Sequence, residues 1–130
     1  MVRLSTPADA IEGTRGCHPA FSYYRRLDRV RESVLDDLSK PWRLGDAAQV
    51  ARMERTAFSA FFHRKTDQRF RDWLAAERVA RAKRLMSEHN LSVRDVSTQV
   101  GCANVRTFER MFRRVTGQCP IDYKTSVRPS

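Results

Sequence analysis

The chain has 130 residues, enough for one compact domain or two very small helical subdomains and too few for two independent domains. Its net charge of +10 favours a negatively charged polymer or surface as partner. Residues 41–130 hold 18 basic and 9 acidic side chains, so we expect the binding function there. Neither a signal peptide nor a run of 18 apolar residues is found, which predicts a soluble, cytoplasmic protein with no membrane partner.

The first forty residues divide into an arm and a helix. Residues 1–20 combine two prolines and two glycines with little apolar periodicity, which predicts a flexible arm. From Phe21 to Ser39 apolar residues recur at helical spacing, which predicts one amphipathic helix. These apolar residues are Leu27, Val30, Val34 and Leu38.

Two later segments, at about 44–65 and 92–115, each show two short helical patterns around a tight turn. Ala48 and Ser97 are the small residues that would let the two helices of each pair cross closely. With an offset of 50 and a one-residue slip in the turn, the segments align, which indicates an internal duplication. The aligned pairs are Phe58 with Phe108, Phe62 with Phe112, Arg64 with Arg114, and Thr66 with Thr116.

Residues 69–87, between the repeats, contain neither glycine nor proline and predict one long helix. Two apolar faces of this helix point about a third of a turn apart. We therefore expect one helix to serve two separate cores. The first face holds Phe70, Trp73 and Leu74, and the second holds Val79, Ala82, Leu85 and Met86.

Two amphipathic helices around a tight turn are typical of a helix-turn-helix, whose second helix lies in the DNA major groove. In both segments the second helix carries polar and basic residues opposite its phenylalanines. Arginine suits this role because its planar fork binds either guanine or phosphate oxygens. The candidate residues are Arg55, Thr56, Ser59, His63 and Arg64 in the first segment, and Arg106, Thr107, Arg110, Arg113 and Arg114 in the second.

The sequence offers no arrangement typical of an enzyme. Carboxylate pairs, Cys-His or Ser-His sets, metal-ligand spacings and phosphate-binding glycine loops are not found in a plausible context. We therefore predict no catalytic residue, metal or cofactor, and no small-molecule ligand is evident. Cys17, Cys102 and Cys119 are widely spaced and are predicted to be reduced thiols, with Cys102 at a packing position.

Landmark residues in the second segment resemble those of the AraC/XylS family of bacterial transcription regulators. They lie between Val96 and Lys124, and similar patterns at Phe58–Asp67 and Trp73–Met86 extend the match to about residues 27–124. The resemblance implies an all-α fold of two homeodomain-like, three-helical subdomains joined by a linker helix. The landmarks are Gly101, Phe108, Arg110, Phe112, Gly117, Pro120 and Tyr123.

By this resemblance the first segment reads bases with Arg55, Thr56, Ser59 and Ala60, and the second with Arg106, Thr107 and Arg110. The two DNA segments would lie about one helical turn apart. The sequence departs from the family pattern at two positions in each unit. Because the second unit still carries both the family signature and the charge, whereas the first lacks stronger features at Ala60 and Asp67, we expect the second to anchor affinity and the first to tune it. Ala60 replaces a common Arg, Asp67 a turn Gly, Cys102 a Phe and Ser97 an Ala.

The resemblance further implies a regulator that binds double-stranded DNA as a monomer in the bacterial nucleoid and activates transcription by recruiting RNA polymerase. The short arm predicts the subclass that has no sensor domain. We expect residues 21–124 to form the DNA-binding domain and residues 125–130 to form a C-terminal tail. Two alternatives stay open. The chain is the DNA-binding fragment of a longer ligand-sensing regulator, or it uses this fold to bind another regulator or the polymerase.

Overall fold

The computed structural model describes residues 19–127, in which eight helices and no strand are present. The predicted all-α fold is confirmed. Most of the predicted arm, with Cys17, lies outside the described residues, and its last two residues begin the first helix. The helices are α1 (Pro19–Tyr23), α2 (Arg25–Asp36), α3 (Leu44–Ala51), α4 (Arg55–Thr66), α5 (Phe70–Glu88), α6 (Val93–Gln99), α7 (Val105–Thr116) and α8 (Pro120–Val127).

The prediction of a single helix from Phe21 to Ser39 is wrong, because this segment forms two helices, α1 and α2. Tyr24 separates them with extended backbone angles of φ −102° and ψ 116°. Its carbonyl accepts from the Asp28 N–H at 3.0 Å, so Tyr24 serves as the N-cap of α2. The helix ends at Asp36, because Asp37 adopts φ −141° and ψ 60°. Leu38 is therefore outside α2.

The described chain folds as two compact units, of which the first ends at Leu74 and omits residues 38–41. Its core is an aromatic cluster centred on Phe62. The Phe62 ring lies 5.7–5.8 Å, centroid to centroid, from four other aromatic rings. Buried aliphatic residues from α2 and α3 complete this core. The four rings belong to Phe21, Phe58, Phe70 and Trp73.

The second unit contains Leu38–Pro41 together with the described residues from Ala75 onward. Arg78 holds the short segment in place, since its Nη2 donates to the Lys40 carbonyl at 2.7 Å and to the Leu38 carbonyl at 3.3 Å. Gly101 has φ 87°, and a Cβ there would lie 2.9 Å from the Ser39 carbonyl oxygen. Only glycine fits that position. The core residues are Val79, Ala82, Met86, Val96, Val100, Phe108 and Phe112.

The prediction that one long helix serves two cores is confirmed for α5. Phe70, Trp73 and Leu74 are buried within the first unit, whereas Val79 and Met86 belong to the core of the second. The helix spans Phe70–Glu88, close to the predicted 69–87.

The C-terminal helix α8 was not predicted, and the expected tail at 125–130 begins inside it, since α8 reaches Val127. Pro120 is its first residue. Proline is suited to this position because the N–H that it lacks would have no hydrogen-bond partner within the helix. Tyr123 packs its ring 5.7 Å from that of Phe112, which attaches α8 to the second unit. None of the described helices is long and apolar enough to cross a membrane.

Candidate nucleic-acid interface

The first helix-turn-helix consists of α3 and α4. Arg52 ends α3 in the left-handed conformation at φ 59°, and the next N–H, of Met53, donates to the Ala48 carbonyl at 2.9 Å. Ala48 is buried, as expected for the small residue at the crossing of the two helices. Glu54 then starts α4 by accepting from the Ala57 N–H at 3.0 Å.

The second helix-turn-helix repeats this geometry with α6 and α7. Gly101 takes the left-handed position of Arg52, and the Cys102 N–H donates to the Ser97 carbonyl at 2.9 Å. Ser97 is buried and its hydroxyl donates to the Arg94 carbonyl at 2.8 Å, which explains why a hydroxyl is tolerated at the crossing.

The slip between the repeats lies in this turn. Helices α3 and α6 begin 49 residues apart, at Leu44 and Val93, whereas α4 and α7 begin 50 apart, at Arg55 and Val105. The second turn therefore contains one extra residue. Asn104 follows it and caps α7 by accepting from the Thr107 N–H at 2.8 Å.

All eleven residues predicted to contact DNA are exposed. Their helices are held by Phe58 and Phe62 in α4 and by Phe108 and Phe112 in α7, which are fully buried and turn the opposite faces outward. Each unit brings its own set onto one helix. The sets are Arg55, Thr56, Ser59, Ala60, His63 and Arg64 on α4, and Arg106, Thr107, Arg110, Arg113 and Arg114 on α7.

The two exposed faces differ in charge. Helix α7 carries four exposed arginines against one acid, Glu109. Helix α4 carries two exposed arginines and His63, while its Lys65 is half-buried with the ammonium 5.1 Å from the centre of the Tyr24 ring. Ala60 stands where α7 has Arg110. The second face therefore presents the stronger positive potential to a polyanion.

The caps of the two candidate recognition helices also differ. Backbone N–H groups of Thr56 and Ala57 donate to the Glu54 carboxylate and hold its pKa below the ordinary value. The neighbouring charge of Arg55 acts in the same direction. Glu54 is therefore an anion at neutral pH, whereas the equivalent Asn104 is neutral.

Sequence reasoning missed a surface groove where α6 meets the start of α7. Arg94 and Thr98 come from the exposed side of α6, and Asn104 and Arg106 come from the turn and from α7. The i, i+4 spacing of Arg94 and Thr98 indicates that their side chains share one face of a helix. Only the turn geometry shows that this face lies beside Arg106. The groove is lined by Arg94, Ser97, Thr98, Ala103, Asn104, Val105 and Arg106.

Cys102 packs against the core of the second unit and is half-buried. Burial raises the pKa of its thiol, an effect that the nearby charge of Arg78 opposes. A raised pKa disfavours the reactive thiolate, in keeping with the predicted packing role. Across residues 19–127, no cluster of three His, Cys, Asp or Glu side chains that could hold a metal ion is found.

Two duplicated helix-turn-helix units with exposed, basic second helices define a DNA-binding class of protein. The sequence profile of a helix-turn-helix domain family matches residues 47–126. The chain belongs to the AraC/XylS family of helix-turn-helix regulators.

Relatives and solved structures agree with this assignment. The transcriptional activator NphR of Rhodococcus is 36% identical over 100 residues, covering 76% of this chain and 29% of its own length. The DNA-binding domain of AdpA, a global transcriptional factor crystallised with a target DNA, is 28% identical with a TM-score of 0.75. That match covers 79% of this chain and 93% of the AdpA domain.

A further structure shows the fold alone. The C-terminal domain of AraT, a response regulator from Geobacillus stearothermophilus, has a TM-score of 0.77 at 18% identity, covering 82% of this chain and 89% of that domain. This chain spans about a third of the length of the curated relatives it matches. The expectation that it lacks a sensor domain stays a prediction.

Proposed function

We propose that this chain binds a specific DNA sequence and regulates transcription, with α4 and α7 as its recognition helices. The observation that carries the proposal is the pair of exposed, polar and basic helix faces, each held outward by two buried phenylalanines. Support comes from the AdpA domain, which was crystallised with a target DNA and is similar over most of this chain.

In this proposal the N-terminal halves of both helices read bases, and their C-terminal halves bind phosphates. Arginine forks pair with guanine and the Thr107 methyl group packs against a thymine methyl. The family resemblance implies adjacent major-groove segments for the two helices. The base-reading residues are Arg55, Thr56, Ser59, Ala60, Arg106, Thr107 and Arg110, and the phosphate-binding residues are His63, Arg64, Arg113 and Arg114.

Selection of binding sites from random double-stranded DNA tests this function. We expect an enriched site with two conserved segments, bound about 10³-fold or more tightly than unrelated DNA. Affinity should fall steeply with salt, because counterions are released from the phosphates. Retained binding to DNA without any sequence preference would contradict the proposal and favour a protein-docking role for the fold.

We further propose that the chain binds DNA as a monomer and activates transcription by contacting RNA polymerase. In vitro transcription from a promoter carrying the selected site should rise when the protein is added. Light scattering of the complex with a single site should give the mass of one chain and one duplex. A fall in transcription would identify a repressor, and a mass of two chains would exclude the monomer.

A further inference from the structure

Glu54 places a carboxylate immediately before the first recognition helix, at the end from which a helix-turn-helix reads bases. Its side chain is exposed, and its counterpart in the second unit is the neutral Asn104. An anion on a surface that meets DNA phosphates weakens binding to every sequence. A role in base recognition would offset this cost in affinity.

Helix capping at this position does not require the charge of a glutamate. Serine, threonine, aspartate and asparagine are the preferred N-caps, and Asn104 caps α7 without a charge at a shorter distance of 2.8 Å. Glu54 reaches the Ala57 N–H at 3.0 Å through its Oε1 atom. A carboxylate offers about four acceptor positions, of which the Ala57 N–H and the backbone and side-chain donors of Thr56 take three. One acceptor position is therefore left for a DNA base.

We propose that Glu54 selects a cytosine in the DNA segment bound by the first unit, an inference that rests on the proposed function. In the major groove the cytosine N4 amino group is a donor, and a carboxylate, which only accepts, is its matching side chain. The hydrogen bond from the Ala57 N–H to Glu54 Oε1 orients the carboxylate before DNA arrives. The paired guanine presents O6 and N7, which match the exposed arginine that follows, Arg55.

Two substitutions separate base reading from capping. Glu54→Gln keeps the length of the side chain and removes its charge, and Glu54→Asn installs the cap that the second unit uses. Asn104→Ser exchanges one neutral cap for another and is the matched control. Circular dichroism of all three variants verifies that α4 and α7 remain folded.

Each protein is used to select sites from random double-stranded DNA, and its affinity is measured on the wild-type site and its single-base variants. For the wild-type protein we expect one cytosine in the first segment whose replacement lowers affinity about 5- to 150-fold. Glu54→Asn and Glu54→Gln should lose that preference alone and bind unrelated DNA more tightly. Asn104→Ser should keep it.

Unchanged base preferences in both Glu54 variants, with a uniform change in affinity, would overturn this inference and leave the proposed function intact. An enriched wild-type site with no cytosine dependent on Glu54 would do the same. Failure of the wild-type protein to enrich any site would overturn the proposed function and the role of Glu54 together.

Discussion

The two helix-turn-helix units share a scaffold and differ on the surface it presents. Their turns make equivalent hydrogen bonds to Ala48 and Ser97, and their recognition helices end alike. Thr66 donates to the Phe62 carbonyl and Thr116 to the Phe112 carbonyl, both at 2.8 Å. Duplication has thus conserved the contacts that orient each second helix.

The exposed positions have diverged instead. Arg110 and the neutral cap Asn104 in the second unit correspond to Ala60 and the anionic cap Glu54 in the first. The first unit in turn has the richer aromatic core, since Phe62 contacts four rings and Phe112 contacts two. We therefore expect core packing and affinity for DNA to be separable properties of the two units.

Core truncation should give the largest effect. We expect Phe62→Ala and Phe112→Ala each to lower the free energy of unfolding by about 3–5 kcal/mol, with Phe62→Ala at the upper end because it removes more ring contacts. The two tryptophans, Trp42 and Trp73, lie in the first unit. In urea titrations, tryptophan fluorescence should therefore report the first unit, while circular dichroism reports both.

If the two cores unfold separately, Phe62→Ala should lower the urea midpoint measured by tryptophan fluorescence more than Phe112→Ala does. Equal shifts of the fluorescence and circular dichroism midpoints in both variants would show that the two cores unfold as one. That result would contradict the inference that the stabilities of the two units are independent.

The expected difference in DNA affinity between the two units is tested at Arg110. Arg110→Ala should weaken binding to the selected site by about 1–3 kcal/mol and relax the preference at one base pair, because the bidentate guanine contact is lost. Fluorescence anisotropy on the site and its single-base variants measures both. Ala60→Arg is the matched change in the first unit and should strengthen binding. Unchanged affinity in Arg110→Ala would remove this residue from the base-reading set.

Much of this architecture was predictable because apolar periodicity and the repeat report buried faces directly. The linker helix was placed within one residue at each end, and the buried phenylalanines correctly implied which side of α4 and α7 is exposed. The break at Tyr24 was not predictable, since tyrosine is no helix breaker and the residues around it keep their helical spacing.

Other features depend on contacts far apart in sequence. Leu38 continues the apolar pattern of α2, yet Arg78, 40 residues later, binds its carbonyl within the second unit. The groove beside Arg106 requires the path of the turn to bring Arg94 and Thr98 near it. The role of Glu54 as a cap requires the exact first residue of α4, which periodicity locates only approximately.

The salt dependence of DNA affinity tests the phosphate contacts of the two units, whose expected effect is smaller and independent of DNA sequence. Arg114 is exposed near the end of α7, and Arg114→Ala should weaken binding to all sequences alike. The slope of log affinity against log salt should become shallower by about 0.9, as expected for one phosphate contact. Arg64→Ala is the equivalent change on α4. A loss confined to the selected site would show that Arg114 reads a base instead.

The smallest expected effect concerns the ends of the recognition helices. Asp67 and Gly117 terminate α4 and α7 in the left-handed conformation, at φ 65° and 84°. A side chain strains this backbone, so Asp67→Gly should raise the unfolding free energy by up to about 1 kcal/mol, and Gly117→Ala should lower it by a similar amount. A Cβ at Gly117 meets no atom within 4 Å, so that cost is conformational.

Thermal unfolding of the two variants measures these opposite shifts, and affinity for the selected site serves as the control. If Asp67→Gly stabilises α4 without strengthening DNA binding, the weaker role of the first unit resides in its exposed face. If binding strengthens instead, the strained helix end contributes to the inequality, and Ala60 and Glu54 do not account for it alone.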